Sequence, residues 1–265
     1  MVLLDPPFMQ SVICPICHYI EAGSDELIQQ MHGTGFLIDN DGIFITARHV
    51  IESAFAGAQA TKGKVAIFPM QRANGKTTSL TVPILNYEFA PTPFDVAILQ
   101  TNYRSNTFFR FQKNRLVEVW QDVATMGYPI AATHKGIDQY EVQQRAHKGY
   151  IQRIIPSGRL RIGAHPDVFE LSFAITNGLS GAPLFIHAAT YEIVIGVCVG
   201  SHSSRIVNYE ETVQVKNNSE TLKEQVIRLE EFGIAHDVRP LFDWKPSLLG
   251  GRTFFELSGQ LTEKS

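Results

Sequence analysis

Residues 176–184 of this chain of 265 residues read Thr176-Asn177-Gly178-Leu179-Ser180-Gly181-Ala182-Pro183-Leu184. In this stretch a serine lies between two glycines, and a proline follows it at the start of an apolar segment. Glycine lets a loop adopt conformations that other residues resist. A serine hydroxyl presented on such a loop is a typical arrangement for a nucleophile in acyl transfer. The stretch therefore predicts a nucleophile loop, provided that the chain also supplies a base for Ser180.

Two upstream segments supply candidates for that base and for its partner. They read Thr46-Ala47-Arg48-His49-Val50 and Phe94-Asp95-Val96-Ala97-Ile98-Leu99. His49 follows two apolar runs joined by the turn 39–42, which predicts a β-hairpin ending at the histidine. Taken singly, His49 is better explained as a core histidine and Asp95 as a strand-start cap. The order His, Asp, Ser in these contexts instead favours a catalytic triad.

With these blocks in this order, the chain resembles the trypsin-like (chymotrypsin-fold) serine peptidases. The family's T-A-A-H-C, D-I-A-L-L and G-D-S-G-G-P blocks are matched by residues 46–50, 95–99 and 178–183. The likeness extends to a pocket-lining strand, the start of a second barrel and a last strand, over residues 193–200, 126–129 and 232–235. It covers most of the chain and points to a bacterial, intracellular type of member.

The resemblance implies an all-β fold made of two six-stranded antiparallel β-barrels with a short C-terminal helix. Short strands separated by turn signals favour barrels or sandwiches on their own account. We expect residues 1–120 to form the N-terminal barrel with His49 and Asp95. Residues 121–245 are expected to form the C-terminal barrel with Ser180, the oxyanion hole and the substrate pocket, and 246–265 a polar, frayed tail.

Two segments near the C-terminus carry local predictions. Residues 201–230 read as an insertion into the second barrel. Within 220–231, apolar residues at i, i+4 and i+7 with charges between them indicate either a short amphipathic helix or a charged hairpin arm. The plainer interpretation is a solvated insertion, and the functional one is a border of the substrate cleft. Residues 237–244 predict a closing helix with Asp237 as its N-cap.

The resemblance assigns a role to each residue of the expected active site. Ser180 would be the nucleophile, His49 the general base that takes its proton, and Asp95 the group that orients the imidazole. The backbone N–H groups of Gly178 and Ser180 would form the oxyanion hole. No cofactor or metal is implied by this chemistry.

The substrate pocket is expected beside the serine loop and on the strand that follows it. Its residues would be Ala174, Ile175, Asn177, Cys198, Val199 and Gly200. Ala174 stands where trypsin itself carries an acidic residue, so no charge is evident at the pocket base. This predicts a preference for an uncharged residue before the scissile bond, although Glu210 or Glu211 in the insertion would favour a basic one.

Leu179 departs from the family pattern, in which an aspartate precedes the nucleophile. In digestive members that aspartate pairs with a newly cleaved N-terminus and so shapes the oxyanion hole. Leucine has no charge for this ion pair. We therefore predict that cleavage of the N-terminus does not activate this protein, and that its serine loop is either formed in advance or shaped by an activating protein partner.

Composition restricts the compartment and the partners. The net charge of −3 and the pI near 6.3 argue against a dedicated nucleic-acid binder. No apolar run is as long as the ~18 residues of a membrane span. Three cysteines do not allow the several disulfides typical of secreted relatives, and the N-terminus does not read as a secretory signal. We expect a cytoplasmic protein.

The segment Cys14-Pro15-Ile16-Cys17-His18 holds half of a possible zinc site. No second cysteine pair follows, although His18 or His32 would be available as ligands. A redox role would require a βαβ context, which is absent. The favoured interpretation is a first-barrel strand with two buried thiols, with Cys198 in a core or pocket wall and His32 near the cleft as a structural residue.

The leading hypothesis is a serine endopeptidase of narrow specificity that acts on a protein or peptide in a regulatory or defence role. Two alternatives stay open. One is a catalytically silent binding module with the same fold. The other is a viral-type polyprotein-processing peptidase, because Ile195–Gly200 resembles the pocket strand of picornaviral proteases, with Cys198 in the place of their pocket histidine.

Overall fold

The computed structural model describes residues 6–258 except 24, 74–75, 136–139, 161–162, 189–190 and 215–220. This part of the chain is mostly β-structure, with α-helices α1 (Pro6–Val12) and α2 (Arg48–Thr61). At 14 residues α2 is the longer helix described, and no described helix is long and apolar enough for a membrane span. The strands are β1 (Ile13–Ala22), β2 (Asp25–Leu37), β3 (Ile43–Thr46), β4 (Lys64–Ile67), β5 (Met70–Ala73), β6 (Lys76–Ser79), β7 (Val82–Pro83), β8 (Asn86–Phe89), β9 (Ala97–Gln100), β10 (Asp122–Gly127), β11 (Thr133–Lys135), β12 (Tyr140–Val142), β13 (Arg145–Ile155), β14 (Val168–Leu171), β15 (Pro183–His187), β16 (Glu192–Gln214) and β17 (Thr221–Asp237).

The first half is an antiparallel sheet in the order β7-β4-β1-β2-β3-β9-β8. Its two outer strands, β7 and β8, are consecutive in the chain and are separated only by Ile84 and Leu85. The Ile84 N–H donates to Val65 on one side, and the Leu85 N–H donates to Gln100 on the other. The sheet therefore curls until its two edges meet, and β7 and β8 form a single bent strand. If β7 and β8 are counted as one strand, the sheet is the predicted six-stranded barrel.

The predicted hairpin before His49 is confirmed, but the histidine itself lies in a helix. The turn between β2 and β3 is held by Asp39, whose Oδ1 accepts the backbone N–H groups of Asp41 and Ile43. The chain leaves β3 at Thr46 and begins α2 two residues later, so His49 lies in the first helical turn. The helix α2 was not predicted, so the expectation that the hairpin itself ends at His49 is wrong.

The second half is a closed six-stranded barrel, β10-β13-β14-β17-β16-β15. Its interior is apolar and includes Ile151, Phe169, Leu171, Leu184 and Ile195, each at most 1% exposed. The change from one sheet to the other falls between Gln100 and Asp122. The expected all-β double barrel is therefore the observed fold, with small two-stranded sheets, β5-β6 and β11-β12, attached.

Residues 201–230 do not form the amphipathic helix that was one of two predictions for part of this segment. They belong to a long hairpin in which β16 and β17 stay paired from Gly196 with Asp237 to Gln214 with Thr221. We call the residues of this hairpin beyond the barrel, 201–214 and 221–232, the arm. Glu220 lies outside the described residues. Large apolar side chains of the arm are exposed on both of its faces, among them Ile206, Tyr209, Val226 and Leu229.

The C-terminal residues fold back onto the first half. The predicted closing helix over 237–244 is shorter than expected, a single 3-10 turn over Arg239–Leu241, although Asp237 Oδ1 accepts the Arg239 N–H as a cap would. The expectation of a frayed tail from 246 is wrong for the part that the structure describes. Leu249, Phe254 and Leu257 are buried in the same apolar core as the first sheet, and residues 259–265 lie outside the described range.

Candidate active site

His49 and Asp95 come together because β3 and β9 are neighbouring strands. His49 follows β3, Asp95 precedes β9, and Thr46 pairs with Ala97. His49 Nδ1 is 2.6 Å from Asp95 Oδ2, and the His49 backbone N–H donates to Asp95 Oδ1 at 2.9 Å. A carboxylate that accepts from Nδ1 favours the tautomer in which Nε2 carries a free lone pair. The pair is therefore arranged for His49 Nε2 to act as a base.

The local environment keeps the carboxyl group of Asp95 ionised. Burial raises its pKa, but the hydrogen bonds from the ring and backbone of His49 and the charge of His49 outweigh burial, so that the pKa lies below its usual range. At neutral pH the carboxylate is thus available to stabilise an imidazolium on His49.

His236 supports Asp95 from the second barrel and was not among the predicted site residues. It lies in β17 with 4% of its surface exposed, and its Nδ1 accepts the backbone N–H of Asp95 at 3.1 Å. Burial lowers the pKa of His236 to about 4, although the charge of Asp95 acts in the opposite direction. A neutral ring is required for this acceptor role. His236 gave no sequence signal because it is adjacent to Asp95 only across the two halves of the fold.

Ser180 lies in the loop between β14 and β15, half-buried, and lines the same pocket as His49. Its hydroxyl donates to the carbonyl oxygen of Val199 at 3.3 Å. Between these two described residues, Ser180 and His49, the structure has no hydrogen bond. Proton transfer therefore requires the Ser180 hydroxyl to turn from Val199 towards the imidazole.

The backbone N–H groups of Gly178 and Ser180, expected to form the oxyanion hole, have no hydrogen-bond acceptor within the described part of the chain. Gly178 has a φ of +96°, where side chains are strained. A Cβ atom there would overlap the carbonyl oxygen of Tyr128 and would lie 2.7 Å from the backbone nitrogen of Ile130. Only glycine fits this position.

Both peptide groups that carry these N–H donors are held at their opposite ends. The carbonyl of Asn177 accepts the N–H of Ile130 at 2.8 Å, and the carbonyl of Leu179 accepts the N–H of Ala182 at 3.0 Å. A peptide group is planar, so fixing its carbonyl also fixes the direction of its N–H. The two donors are therefore oriented before any substrate arrives.

Thr34, in β2 of the first half, fastens the serine loop across the interface. Its backbone N–H donates to the Ser180 carbonyl at 2.9 Å, and its hydroxyl donates to the Gly178 carbonyl at 2.8 Å. The same hydroxyl accepts the N–H of Tyr128 at 3.0 Å. Thr34 is fully buried, so each of these bonds is shielded from water. Thr34 carries no signal in the sequence, because it meets the serine loop only across the two halves of the fold.

Leu179 anchors the loop by packing. Its side chain is fully buried in the core of the second barrel, among residues such as Ile151, Phe169 and Leu184. Removing an exposed leucine from water and burying it in a core contributes roughly 2 kcal/mol. The apolar contact thus holds the residue that directly precedes Ser180 in the core.

The pocket beside Ser180 has a volume of about 570 Å³ and collects most of the expected substrate-binding residues. Ile175, Asn177, Val199 and Gly200 line it together with His49. Ala174 and Cys198 do not line it. Cys198 is fully buried, 3.5 Å from the Thr125 hydroxyl, because β16 turns that side chain into the barrel core. Of the two places predicted for Cys198, the core is the observed one. Its assignment to substrate binding, as the counterpart of a pocket histidine, is wrong because the side chain does not line the pocket.

Four further lining residues belong to the arm and were missed as individual residues: Ser201, His202, Ser203 and Glu231. Ser201 Oγ accepts the N–H of Ile175 at 2.6 Å and lies 3.1 Å from its carbonyl oxygen, so the base of the arm is tied to the opposite pocket wall. Residues 201–203 could have been predicted to line the pocket, because they directly continue the strand that carries Val199 and Gly200.

Cys14 and Cys17 lie fully buried in β1 as expected, and burial raises the pKa of both thiols. His18 Nδ1 is 2.7 Å from His32 Nε2, and His32 Nδ1 is 2.8 Å from Ser53 Oγ. Over the residues that the structure describes, no three histidine, cysteine or acidic side chains are grouped to hold a metal ion. His32 is a hydrogen-bonded structural residue beside α2.

Comparison with known proteins adds three findings. The family model described as a trypsin-like peptidase domain matches residues 33–197. Among solved structures, Deg5 is similar over 73% of this chain and 81% of its own, with 18% identity and a TM-score of 0.51. The HtrA-type protease AlgW, solved with a decapeptide, is similar over 87% of this chain and 62% of its own, with 14% identity and a TM-score of 0.52. At these identities the likeness concerns the fold alone. A search of curated proteins finds no match.

Proposed function

Because the chain belongs to the trypsin-like peptidase family, we propose that it is a serine endopeptidase in which Ser180, His49 and Asp95 act as a triad. One observation carries the proposal. His49, hydrogen-bonded to Asp95 at 2.6 Å, and Ser180 line one pocket, although they come from different halves of the molecule. The serine loop in addition presents two backbone donors without acceptors.

The proposed reaction uses these groups in sequence. The Ser180 hydroxyl turns from Val199 to His49 Nε2, attacks the substrate carbonyl carbon and gives its proton to the imidazole. The resulting oxyanion accepts hydrogen bonds from the amides of Gly178 and Ser180. His49 then protonates the leaving amine, an acyl-enzyme forms on Ser180, and a water activated by His49 hydrolyses it.

A peptide substrate is supported by the edge of β16. Up to Val197 this strand pairs with β15 on one side and with β17 on the other. From Val199 to Ser203 it keeps β17, but no described strand continues β15 along its other edge. Such an edge binds an extended peptide through main-chain hydrogen bonds. Its first residue, Val199, contacts the Ser180 hydroxyl, so a bound peptide passes the nucleophile.

The pocket wall supports an uncharged residue immediately before the scissile bond. Ile175 and Val199 are the apolar residues of the lining, and both lie next to the serine loop. A regulatory or defence role, an activating protein partner and a cytoplasmic location stay predictions from the sequence. The buried anchor of Leu179 supports a loop that is formed without cleavage of the N-terminus.

A fluorophosphonate probe tests the proposal, because it labels only a serine made nucleophilic by its surroundings. We expect labelling of the wild-type protein, none of Ser180→Ala, and about a 10⁴-fold slower reaction for Asp95→Asn, in which the imidazole is held in the wrong tautomer. Labelling that survives Ser180→Ala would contradict the assignment of the nucleophile.

The catalytically silent module remains the second candidate, since the Ser180 hydroxyl is bonded to Val199 and not to His49. A silent module would bind peptide at the β16 edge but would leave the probe unreacted in wild type and variant alike. A protein awaiting its partner would become reactive when a peptide occupies this edge, so the assay is run with and without a peptide library.

A further inference from the structure

Glu231 is an acidic side chain of the pocket that the proposed reaction does not use. It lies in β17, is exposed, and lines the pocket together with Ser203. The structure gives its carboxylate no ion pair and no hydrogen bond with any described residue. An acid without a partner in a substrate pocket is available to a ligand.

The register of the arm places Glu231 on the pocket face of the sheet. Ser203 is directly opposite Glu231, and Ser201 is directly opposite Gly233. Directly opposed residues of antiparallel strands project to the same face, as do residues two apart in one strand. Ser201 bonds to Ile175 across the pocket, and a Cβ on Gly233 would lie 2.5 Å from the carbonyl oxygen of Phe173. This shared face therefore looks into the pocket.

Other ionisable side chains near the arm already have partners. His202 and Arg153 both bond to Glu170, at 2.7 and 2.5 Å, and His202 projects from the face opposite to Ser201 and Ser203. Arg205 shares the face of Glu231, but its guanidinium donates to Gln225, farther out along the arm.

The neighbouring acid, Glu230, projects to the opposite face and pairs with Arg228 at 3.0 Å. Glu231 is thus the unpaired acid among the described residues that line the pocket.

The distance along the strand determines which substrate residue Glu231 meets. Val199 marks the nucleophile, and Ser203 lies four residues farther along β16, about 13 Å away at ~3.3 Å per residue. A peptide that pairs antiparallel with β16 runs towards Ser180. Its residues near Ser203 therefore precede the scissile bond, by about four positions, whereas the residue next to the bond meets Ile175 and Val199.

We infer that Glu231 makes the site selective for substrates with lysine or arginine three to five residues before the scissile bond. The inference rests on the proposed peptidase function, because that function supplies the peptide substrate. The position of Glu231 in the pocket does not depend on it. It adds a charge requirement, distant from the cleaved bond, to the uncharged preference next to the bond. Because the pair would be exposed to water, we expect only about a three- to fivefold preference in kcat/KM over glutamine at that position.

A peptide library with mapped cleavage sites tests this on wild type, Glu231→Gln and Glu230→Gln. We expect lysine and arginine to be enriched about three- to fivefold at one position in wild type and in Glu230→Gln, and this enrichment to vanish in Glu231→Gln. Glu230→Gln is the matched control, since it removes the adjacent charge from the opposite face. Absence of basic enrichment in wild type, or its persistence in Glu231→Gln, would overturn the inference.

Capture of the same library on immobilised Ser180→Ala protein separates this inference from the proposed function. If wild type neither cleaves a peptide nor reacts with the fluorophosphonate probe in the presence of the library, the peptidase proposal fails, and capture alone decides the role of Glu231. Ser180→Ala should then retain peptides rich in lysine and arginine, and Ser180→Ala with Glu231→Gln should not. Equal capture by the two proteins would show that Glu231 selects nothing.

Discussion

The serine loop and the arm line the same pocket, yet they are held in opposite ways. The loop around Ser180 is fastened by buried hydrogen bonds from Thr34 and by Leu179 in the core. Among the described residues the arm is tied to the barrel near its base, through Ser201 and His202, and beyond Ser203 it exposes apolar and charged side chains on both faces. Both regions line the pocket, but the serine loop is held along its length by the rest of the fold, whereas the arm is held only at its base within the part of the chain that the structure describes.

This difference separates chemistry from selectivity. Groups that stabilise a transition state must be oriented before the reaction, and burial supplies that orientation. Groups that select a substrate residue several positions away act through exposed charge and tolerate movement. A change in the loop should therefore alter the rate for every substrate, and a change in the arm should alter only the choice among substrates.

The largest effect is expected for Gly178→Ala. The added methyl group would overlap the Tyr128 carbonyl and force the 177–178 peptide to turn, so that one oxyanion donor is lost. Loss of one such donor lowers kcat by about 10²–10³-fold. Steady-state kinetics on a peptide cleaved by wild type measures this. Gly158→Ala, at a φ of +72° with nothing within 4 Å, is the control and should keep its kcat. Equal kcat values for the two variants would show that the rate does not depend on the conformation of the serine loop at Gly178.

A smaller effect is expected for Thr34→Val, which deletes the hydroxyl that bonds to the Gly178 carbonyl. The variant leaves a buried carbonyl and the Tyr128 N–H without this partner, at a cost of about 1–3 kcal/mol. We expect kcat to fall about tenfold if part of that cost appears as disorder of the loop. Thr34→Ser restores the hydroxyl and should recover most of the rate. A valine variant as fast as the serine variant would show that the backbone N–H of Thr34 suffices.

The support of Asp95 by His236 predicts a dependence of stability on pH. Because burial lowers the pKa of His236 from 6.5 to about 4, the unfolded chain takes up a proton before the folded protein does. The contribution of His236 to the free energy of unfolding is therefore fully present above pH 6.5. It is lost as the pH falls towards about 4, by up to ~1.4 kcal/mol per pH unit.

Urea denaturation at several pH values measures the slope, and His236→Gln should reduce it. His32, whose pKa is also lowered to about 4 by burial and by the charge of His18, contributes in the same window. For that reason His236→Gln should flatten the slope only in part. A slope unchanged by His236→Gln would mean that the pKa of His236 is the same in the folded protein and in the unfolded chain.

The smallest effect is expected in the arm. Leu229 is 65% exposed, so Leu229→Ser should change the free energy of unfolding by less than about 0.5 kcal/mol. Leu179→Ser, the same substitution in the fully buried anchor of the serine loop, should cost about 3 kcal/mol or more. Chemical denaturation of the two variants side by side tests the comparison. Similar losses would mean that the arm packs against something in solution.

The sequence predicted the parts of the site that are local. Ser180 with its glycines, and the segments around His49 and Asp95, carry their chemistry in a few adjacent residues. Thr34, His236 and Glu231 escaped because each acts across a strand pairing or across the two halves, where residue spacing conveys nothing. The arm was predicted only as one of two possibilities, since apolar residues at helical spacing also suit a twisted hairpin with both faces exposed. Cys198 was predicted in the core or in the pocket wall, and the sequence did not decide between them because a strand next to a pocket turns alternate side chains away from it.

The packing of the C-terminal residues against the first half determines when that half can finish folding during synthesis. Phe254 packs against Phe111, with ring centroids 4.9 Å apart, and completes a core that the earlier strands leave unfinished. A nascent chain folds from its N-terminus as it leaves the ribosome. The half that holds His49 and Asp95 is therefore synthesised first but completed only after the half that holds Ser180 has emerged. The site that the two halves form is therefore complete only after the chain has been synthesised as far as Phe254.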